Sequence, residues 1–524
     1  MDNSNSFAVV HNGIIENYSE LRDFLIKNGY TFLSQTDTEV IPNLIHYYFS
    51  KDEKQDDEKF LRAVKSAIDD LKGSYAIEVI SPLYPDRIIV VRKDSPLVIG
   101  KGEKENHIAS DIPALLTYTK DFYLLNDNEY AVIYTDHIRF YDSSLEEHNK
   151  PIKNIEWDAG AAEKGGFEDY MLKEIFEQPN SIRETVGSRF KLGEPCFFDD
   201  IDISKDYLST INKIYIVACG TAYNAGLVGK HAVERFLKVP VVTDIASEFR
   251  YSDPFVDENT LVILASQSGE TADTLSVLRE AKAKGATVLS IANVVGSSIA
   301  RESDYTLYTW AGPEIAVAST KAYTTQIVAF IMIALDFGLK KGTITKEEYM
   351  NYIAELKEIP DQVAEVLKCE EQIKEISKQL VDKNDIFYLG RGLDYSTAME
   401  GALKITYTHA EAFAAGELKH GTIALIEEGV PVIVLATQQR LFEKMLSNMQ
   451  EVKARGANVI SITEVTNKEV EKSSDSVIYI PEVDNILAGI LSVIPLQLLA
   501  YYVAKERGCD IDKPRNLAKS VTVE

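Results

Sequence analysis

Apolar and polar positions alternate in blocks along most of this chain, and one block organises the others. Residues 261–265 (Leu-Val-Ile-Leu-Ala) are five apolar residues in a row, read as a buried strand. Ser266-Gln-Ser-Gly-Glu-Thr271 follows as a tight, hydroxyl-rich turn, and then a helical pattern with Leu275 and Leu278 on one face. Free N–H groups at a helix start, with the helix dipole behind them, favour a phosphate. The hydroxyls add donors, and Gly269 lets the backbone come close to a ligand. An ordinary capped helix after a strand has the same pattern, so the rest of the chain must choose between the two readings.

The chain repeats itself. Glu280-Ala-Lys-Ala-Lys-Gly-Ala-Thr-Val-Leu-Ser-Ile291 matches Glu451-Val-Lys-Ala-Arg-Gly-Ala-Asn-Val-Ile-Ser-Ile462 at an offset of 171, with eight of twelve positions identical. Strand patterns recur at nearly that offset: 214–218 with 386–389, 261–265 with 432–436, and 306–310 with 477–480. Helical patterns lie between them, which predicts parallel sheets covered on both faces. The expected fold class is α/β, with two doubly wound parallel-sheet domains at 205–345 and 375–510 and a charged helical stretch at 346–380 between them. The offset sets the turn 266–271 opposite Thr437-Gln-Gln-Arg-Leu-Phe442, which lacks the glycine and most of the hydroxyls. A phosphate site confined to one copy is therefore expected in the first.

Residues 1–150 carry Val- and Ile-rich strand patterns at 7–11, 75–80 and 87–91, an α+β signature. The chain opens almost directly on the first of them, which reads as missing N-terminal structure. Residues 151–204 are polar and punctuated by proline, a linker with a docking helix over 170–178 that is expected to end at Pro179. Residues 486–504 hold no charge and reach membrane-span length, but Ser492, Pro495 and Gln497 interrupt them. They are read as a buried core helix, and no membrane partner is expected.

Net charge is -26 over 524 residues, which argues against nucleic acid as a partner. An acidic protein that binds phosphate must do so with local dipoles and a few placed lysines. Four cysteines (Cys196, Cys219, Cys369, Cys509) stand far apart with no CxxC spacing, so neither a metal site nor a disulfide framework is expected. That usage fits a reducing cytoplasm, and the first residues show no signal-peptide pattern.

Several further segments could line one pocket. Cys219-Gly-Thr-Ala-Tyr223 follows a strand and opens a helix, where ligands of doubly wound sheets sit. Val317-Ala-Ser-Thr-Lys321 opens an apolar helix over 322–335, and Ser319 and Thr320 are also plain N-cap candidates. Gly416-Glu-Leu-Lys-His-Gly421 sets Lys419 and His420 in a loop, His420 being an acid/base candidate or a solvated loop residue. In the tail 510–524, Leu517, Val521 and Val523 suggest a docked end that would hold Lys519 as an amine nucleophile.

These segments together resemble the glutamine–fructose-6-phosphate aminotransferase (isomerising) family. The resemblance runs from about residue 6 to the end and is carried by His11-Asn-Gly-Ile-Ile-Glu-Asn17, Gln35-Thr-Asp-Thr-Glu39, Lys173-Glu-Ile-Phe-Glu-Gln-Pro179, the turn 266–271, the segments 317–321 and 416–421, and Pro514-Arg-Asn-Leu-Ala-Lys-Ser-Val-Thr-Val-Glu524. It implies an incomplete Ntn-type glutamine amidotransferase domain, two sugar isomerase domains, and a catalytic tail at 511–524. It implies synthesis of glucosamine 6-phosphate from fructose 6-phosphate, glutamine as nitrogen donor, the hexosamine pathway, no cofactor, and a homodimer. By resemblance, Ser266, Gln267, Ser268 and Thr271 cradle the phosphate. Cys219, Gly220, Thr221, Val317, Ser319 and Ala518 hold the sugar. Lys519 forms the Schiff base, His420 opens the ring from a partner subunit, and Lys404 belongs to the catalytic set. Asn12 and Gly13 match the family's oxyanion hole, and Asp37 its grip on the glutamine amine.

Two departures qualify the resemblance. Family members begin with a cysteine nucleophile, and this sequence starts inside that domain without it. The expectation is an N-terminally truncated chain without glutaminase activity, using ammonia. The second departure lies in Glu400-Gly-Ala-Leu-Lys-Ile-Thr-Tyr-Thr-His-Ala-Glu411, read as one helix. Three residues are missing after Lys404, among them the family's proton-carrying glutamate, and such a deletion rotates a helix by roughly 300° and shortens it by about 4.5 Å. Glu400 and Glu411 are the possible substitutes. Ala222 also stands where the family often has serine. The alternative reading is a non-catalytic phosphosugar-binding regulatory relative.

Overall fold

A computed structural model describes residues 1–155, 163–189 and 201–522. The chain divides into two compact units, one of Met1–Glu163 with Glu270–Ala272 and the end from Val521, and one of Lys164–Gly269 with Asp273–Ser520.

The first unit is α+β. Its strands are β1 (Ala8–Ile15), β2 (Gly73–Ile80), β3 (Ile88–Lys93), β4 (Val98–Lys101), β5 (Asn106–Ala109), β6 (Asp121–Leu124), β7 (Tyr130–Ile133), β8 (Ile138–Tyr141), β9 (Glu147–His148) and β10 (Lys153–Asn154). They form two antiparallel sheets, β1-β2-β3-β7-β8-β9 and β10-β6-β4-β5. Helices α1 (Tyr18–Lys27), α2 (Val40–Lys51) and α3 (Lys59–Asp70) complete the unit. In α3, Phe60, Val64, Ala67 and Ile68 recur at helical spacing and are buried. They share a core with Ile77 and Val79 of β2.

The second unit holds the repeat. Helices α4 (Tyr170–Val186) and α5 (Lys205–Thr210) lead into β11 (Lys213–Ala218), α6 (Gly220–Leu237), β12 (Val241–Ile245), α7 (Ala246–Phe249), β13 (Thr260–Ser266), α8 (Ala272–Ala283), β14 (Thr287–Ala292), α9 (Ser298–Glu302), β15 (Tyr305–Tyr308) and α10 (Lys321–Lys341). After α11 (Lys346–Val366) and α12 (Glu370–Lys378) come β16 (Asp385–Gly390), α13 (Leu393–Lys404), β17 (His409–Ala414), β18 (Pro431–Ala436), α14 (Phe442–Lys453), β19 (Asn458–Glu464), β20 (Ser476–Ile480) and α15 (Ala488–Glu506). The two parallel sheets have the same order, β12-β11-β13-β14-β15 and β17-β16-β18-β19-β20. Every residue of β13 is buried, as a strand covered on both faces requires. The α/β class expected from the repeat is the one observed.

Two helices, Lys321–Lys341 and Ala488–Glu506, are long and apolar enough to cross a membrane. Both are core helices of this unit, and every residue of α15 from Ala488 to Ala504 is buried. The docking helix differs from expectation. Pro179 does not end it, and α4 continues to Val186. Proline leaves the carbonyl four residues earlier without its N–H. Here Gln178 Nε2 donates to that carbonyl, Ile175 O, at 2.9 Å, and Gln178 is itself anchored by Gln497 at 2.8 Å. The stretch 400–411 is not one helix either. α13 stops at Lys404, and 409–414 form strand β17 beside β16. Strand β15 stops at Tyr308, and Trp310 beyond it takes φ 54.

The helix pairing between α6 and α10 depends on Gly229. A Cβ there would lie 2.4 Å from the Phe330 ring. Gly229→Ala should destabilise this unit by about 1–3 kcal/mol, the usual cost of overpacking. Thermal unfolding checks this, and a variant as stable as the parent contradicts it.

Candidate active site

The chain leaves β11 toward β12 and leaves β13 toward β14, so the strand order reverses between β11 and β13. Ligands of open parallel sheets bind at such a reversal, beyond the carboxyl ends of the strands. Ala218 pairs with Ala265, so the two turns that follow start at the same level. One is Cys219-Gly220-Thr221 at the start of α6, with Gly220 at φ +55. The other is the turn from Ser266 to Thr271.

That second turn is fixed by its own hydrogen bonds. Ser266 Oγ accepts the Gly269 N–H at 3.0 Å. Gln267 O accepts from Asn293 N at 3.2 Å, and Gly269 O from Ile299 N at 3.0 Å. Gly269 holds φ +68, and a Cβ on it would sit 2.0 Å from Ser297 Oγ. Ser266 is buried at the strand end, whereas Gln267, Ser268 and Thr271 are half-buried. Cys219 lies 3.9 Å from Thr274 Oγ1, and burial pushes its thiol up, which suits packing better than nucleophilic chemistry.

The corresponding crevice of the second copy is filled from within. There Asp394 of α13 accepts the Thr437 N–H at 2.8 Å and the Thr437 hydroxyl at 2.5 Å. An internal carboxylate thus occupies the donors at the end of β18. Burial pushes the Asp394 carboxyl up to about 6 although Thr437 and Gln438 oppose it.

The second copy nevertheless reaches the first crevice through α13. Lys404 Nζ donates to Thr221 Oγ1 at 2.5 Å and pairs with Glu400 at 3.0 Å. Glu400 also accepts from Asn224 Nδ2 at 2.9 Å. Both charges are buried, and burial raises the Glu400 carboxyl against the pull of Lys404 and Asn224. Glu411 is exposed on β17, away from this pair.

A second buried cluster holds the tail. Lys519 Nζ donates to Glu314 Oε2 at 2.6 Å and to Ala316 O at 2.8 Å. Ser319 Oγ donates to the same Glu314 oxygen at 2.8 Å. Neither Ser319 nor Thr320 caps α10 with its hydroxyl. Glu314 Oε1 does so, accepting the N–H groups of Thr320 at 2.8 Å and Ala322 at 3.1 Å. Val317 N donates to Asp512 O at 3.0 Å. The Asp512 carboxylate caps α4 through Tyr170 N and Met171 N, each at 2.9 Å. The tail is therefore held by polar contacts. Leu517 and Val521 are exposed, Ala518 is exposed, and Val523 lies outside the described residues.

His420 is not brought to these clusters. It lies exposed on the 3-10 turn Leu418–His420, and among the described residues no hydrogen bond joins it to Thr221, Ser319, Lys404 or Lys519. In the first unit, Asn12 and Gly13 stand on edge strand β1, with Gly13 at φ +130. Asp37 accepts the Ile15 N–H at 2.8 Å and so lies alongside them. Glu314, Glu174 and Asn224 were not singled out by sequence. Their only local signal is an acid or amide inside an apolar stretch, and their partners are distant in the chain.

Comparison with known proteins follows the same lines. The family model for the SIS domain matches residues 207–335 and 379–507, and that for a glutamine amidotransferase domain matches 1–117. A glutamine–fructose-6-phosphate aminotransferase [isomerizing] of Clostridium tetani is 56% identical over 522 residues, covering 99% of this chain and 85% of that protein. The protein of the same name from Methanosarcina mazei is 45% identical over 523 residues, with the same two coverages. The solved C-terminal domain of glucosamine-fructose-6-phosphate aminotransferase from Francisella tularensis is 42% identical with TM-score 0.65, covering 67% of this chain and 99% of that one.

Two outcomes test the buried charges. Lys404→Met leaves Glu400 buried without its partner and should cost about 3–5 kcal/mol. Adding Glu400→Gln should recover most of it in urea unfolding. A cost under about 1 kcal/mol contradicts the pairing. For Asp394, the folded value of about 6 lies above the ordinary aspartate value of 3.8. Its favourable share is therefore complete below the lower value and lost as pH rises through the upper one. Asp394→Asn suffers no such loss, so the parent's advantage over it should shrink by about 2 kcal/mol between pH 4 and pH 8. A pH-independent difference contradicts the buried titration.

Proposed function

The chain belongs to the glutamine–fructose-6-phosphate aminotransferase (isomerizing) family, and on that premise we propose that it converts fructose 6-phosphate to glucosamine 6-phosphate at the β11/β13 crevice. One observation carries the reading. Ser266, Gln267 and Ser268 at the sheet reversal lie in the same unit as a tail lysine held beside Ser319 through Glu314.

In this reading Ser266, Gln267, Ser268 and Thr271 take the phosphate. Cys219, Gly220, Thr221, Ser319 and the backbone at Val317 and Ala518 take the sugar. Lys519 adds to the C2 carbonyl with loss of water and holds the ketose as an imine, and ammonia then adds at C2 and expels the lysine amine, leaving the C2 nitrogen on the sugar. Conversion to the aldose then requires a proton to leave C1 and reach C2. Of the two substitutes for the family's glutamate, Glu400 is the better supported, because it is buried against Lys404, which touches Thr221. Glu411 is exposed. Glu400 acts through the Lys404 amine, so the step is expected to be slow, within the usual 10²–10⁴-fold worth of a general base. His420, exposed in its own chain, suits a residue that opens the sugar ring in the site of a partner subunit, which makes the enzyme a homodimer.

The nitrogen source is the finer question. None of the four cysteines lies within residues 1–117, the amidotransferase match. We propose ammonium as the nitrogen source of the 524-residue polypeptide, with Asn12, Gly13 and Asp37 matching the family's glutamine site. The product enters the hexosamine pathway, and the reaction needs no cofactor on this account.

The test is a product assay with fructose 6-phosphate. Glucosamine 6-phosphate should form with ammonium and not with glutamine, and Ser266→Ala should raise KM at least about tenfold, the loss of a charge-assisted hydrogen bond. Product from glutamine overturns the ammonia reading. Tight sugar phosphate binding without any product would instead support a non-catalytic regulator, which the three-residue gap after Lys404 favours.

A further inference from the structure

Glu314 is fully buried and takes no part in the chemistry above, yet its two oxygens collect four donors. Oε1 closes the start of α10 through Thr320 N and Ala322 N. Oε2 accepts from Ser319 Oγ at 2.8 Å and Lys519 Nζ at 2.6 Å. The other partner of Lys519 is a peptide carbonyl, Ala316 O. A peptide carbonyl is too weak a base to take a proton from an ammonium, whereas a carboxylate can. Glu314 Oε2 is thus the one base that touches this amine among the described residues.

We propose that Glu314 positions Lys519 and accepts the proton its amine must lose before adding to a ketose carbonyl. The proposal rests on the reading of Lys519 given above. The step balances. The ammonium gives one proton to Glu314 Oε2, and the freed nitrogen pair forms the N–C2 bond as the C2–O π bond breaks. The nitrogen gives up a second proton, and the C2 oxygen receives both and leaves as water. The carboxylate is restored and the lysine ends as an iminium carrying the charge it began with.

The surroundings keep Glu314 ionised for this task. Burial alone would raise it, but the charge and hydrogen bond of Lys519, with the N–H groups of α10, bring it down to about 2. Glu174 of α4 stands beside it and accepts from Ile315 N at 2.5 Å and Ala316 N at 3.2 Å. Burial and then the charge of Glu314 push the Glu174 carboxyl up to about 8, so Glu174 keeps its own proton. That low value belongs to the ion pair: once the Lys519 ammonium gives up its proton its charge no longer holds Glu314 down, burial then favours the protonated carboxyl, and the proton passes on to the leaving oxygen. Because Ser319 and Lys519 share one oxygen, a sugar hydroxyl arriving at Ser319 also alters the hold on the amine.

The experiment traps the imine with borohydride in the full-length protein saturated with fructose 6-phosphate, and reads the adduct by mass spectrometry. Binding of sorbitol 6-phosphate, which has no carbonyl, is measured in parallel. Glu314→Gln should slow trapping at least about 30-fold while sorbitol 6-phosphate binding stays within about threefold. Glu314→Asp keeps the charge and the helix cap but draws the base back from the amine. It should slow trapping by about tenfold, and it serves if the glutamine variant does not fold. Trapping at the parent rate in either variant, or a loss of trapping matched by an equal loss of binding, overturns the proposal. Absence of any adduct in the parent protein is a different result, for it removes Lys519 as the imine former and with it the functional reading.

Discussion

A protein with a net charge of -26 can hold an anion only by local means, and on the proposed function this constraint falls on the second unit. The overall field repels a phosphate, so attraction has to be local and geometric. A parallel sheet supplies such a place where its strand order reverses, because strand ends, turn N–H groups and helix starts converge there. The β11/β13 reversal adds hydroxyls and a glycine in a left-handed conformation that no side chain would fit. The same reversal in the second copy is closed by Asp394, whose carboxylate takes the Thr437 donors. One architecture thus carries a hydroxyl turn in one copy and an internal carboxylate at the matching place in the other.

The second copy still matters to the first. Its helix α13 ends at Lys404, and that end meets Thr221 at the start of α6. Two ion pairs with a fully buried carboxylate stand in this unit, Glu400 with Lys404, which reaches the crevice at Thr221, and Glu314 with the partly exposed Lys519. Buried pairs contribute little net stability, yet breaking one is costly, so they fix geometry more than they add to the folding free energy. The first pair lies within α13 and joins it to α6 through hydrogen bonds to Thr221 and Asn224, and the second ties the C-terminal tail to the start of α10.

Much of this was legible in the chain before any coordinates. The 171-residue offset and the apolar runs reveal both sheets, because a strand buried on two faces must be apolar throughout. The turn 266–271 is legible because its chemistry is contiguous. Glu314 is not, because its partners include a lysine 205 residues away and its neighbours form an unremarkable apolar loop. Pro179 misleads because the rule for proline assumes an unsatisfied carbonyl, and Gln178 satisfies it. The end of α13 misleads because pattern alone does not distinguish the last turn of a helix from the entry into β17.

The account stands most directly on where a ketose phosphate lies. A crystal structure of the protein with sorbitol 6-phosphate measures this. The account predicts the phosphate within hydrogen-bond distance of the Ser266, Ser268 and Thr271 hydroxyls, with C2 facing Lys519 Nζ. A phosphate bound elsewhere, or C2 turned away from Lys519 toward bulk water, contradicts it.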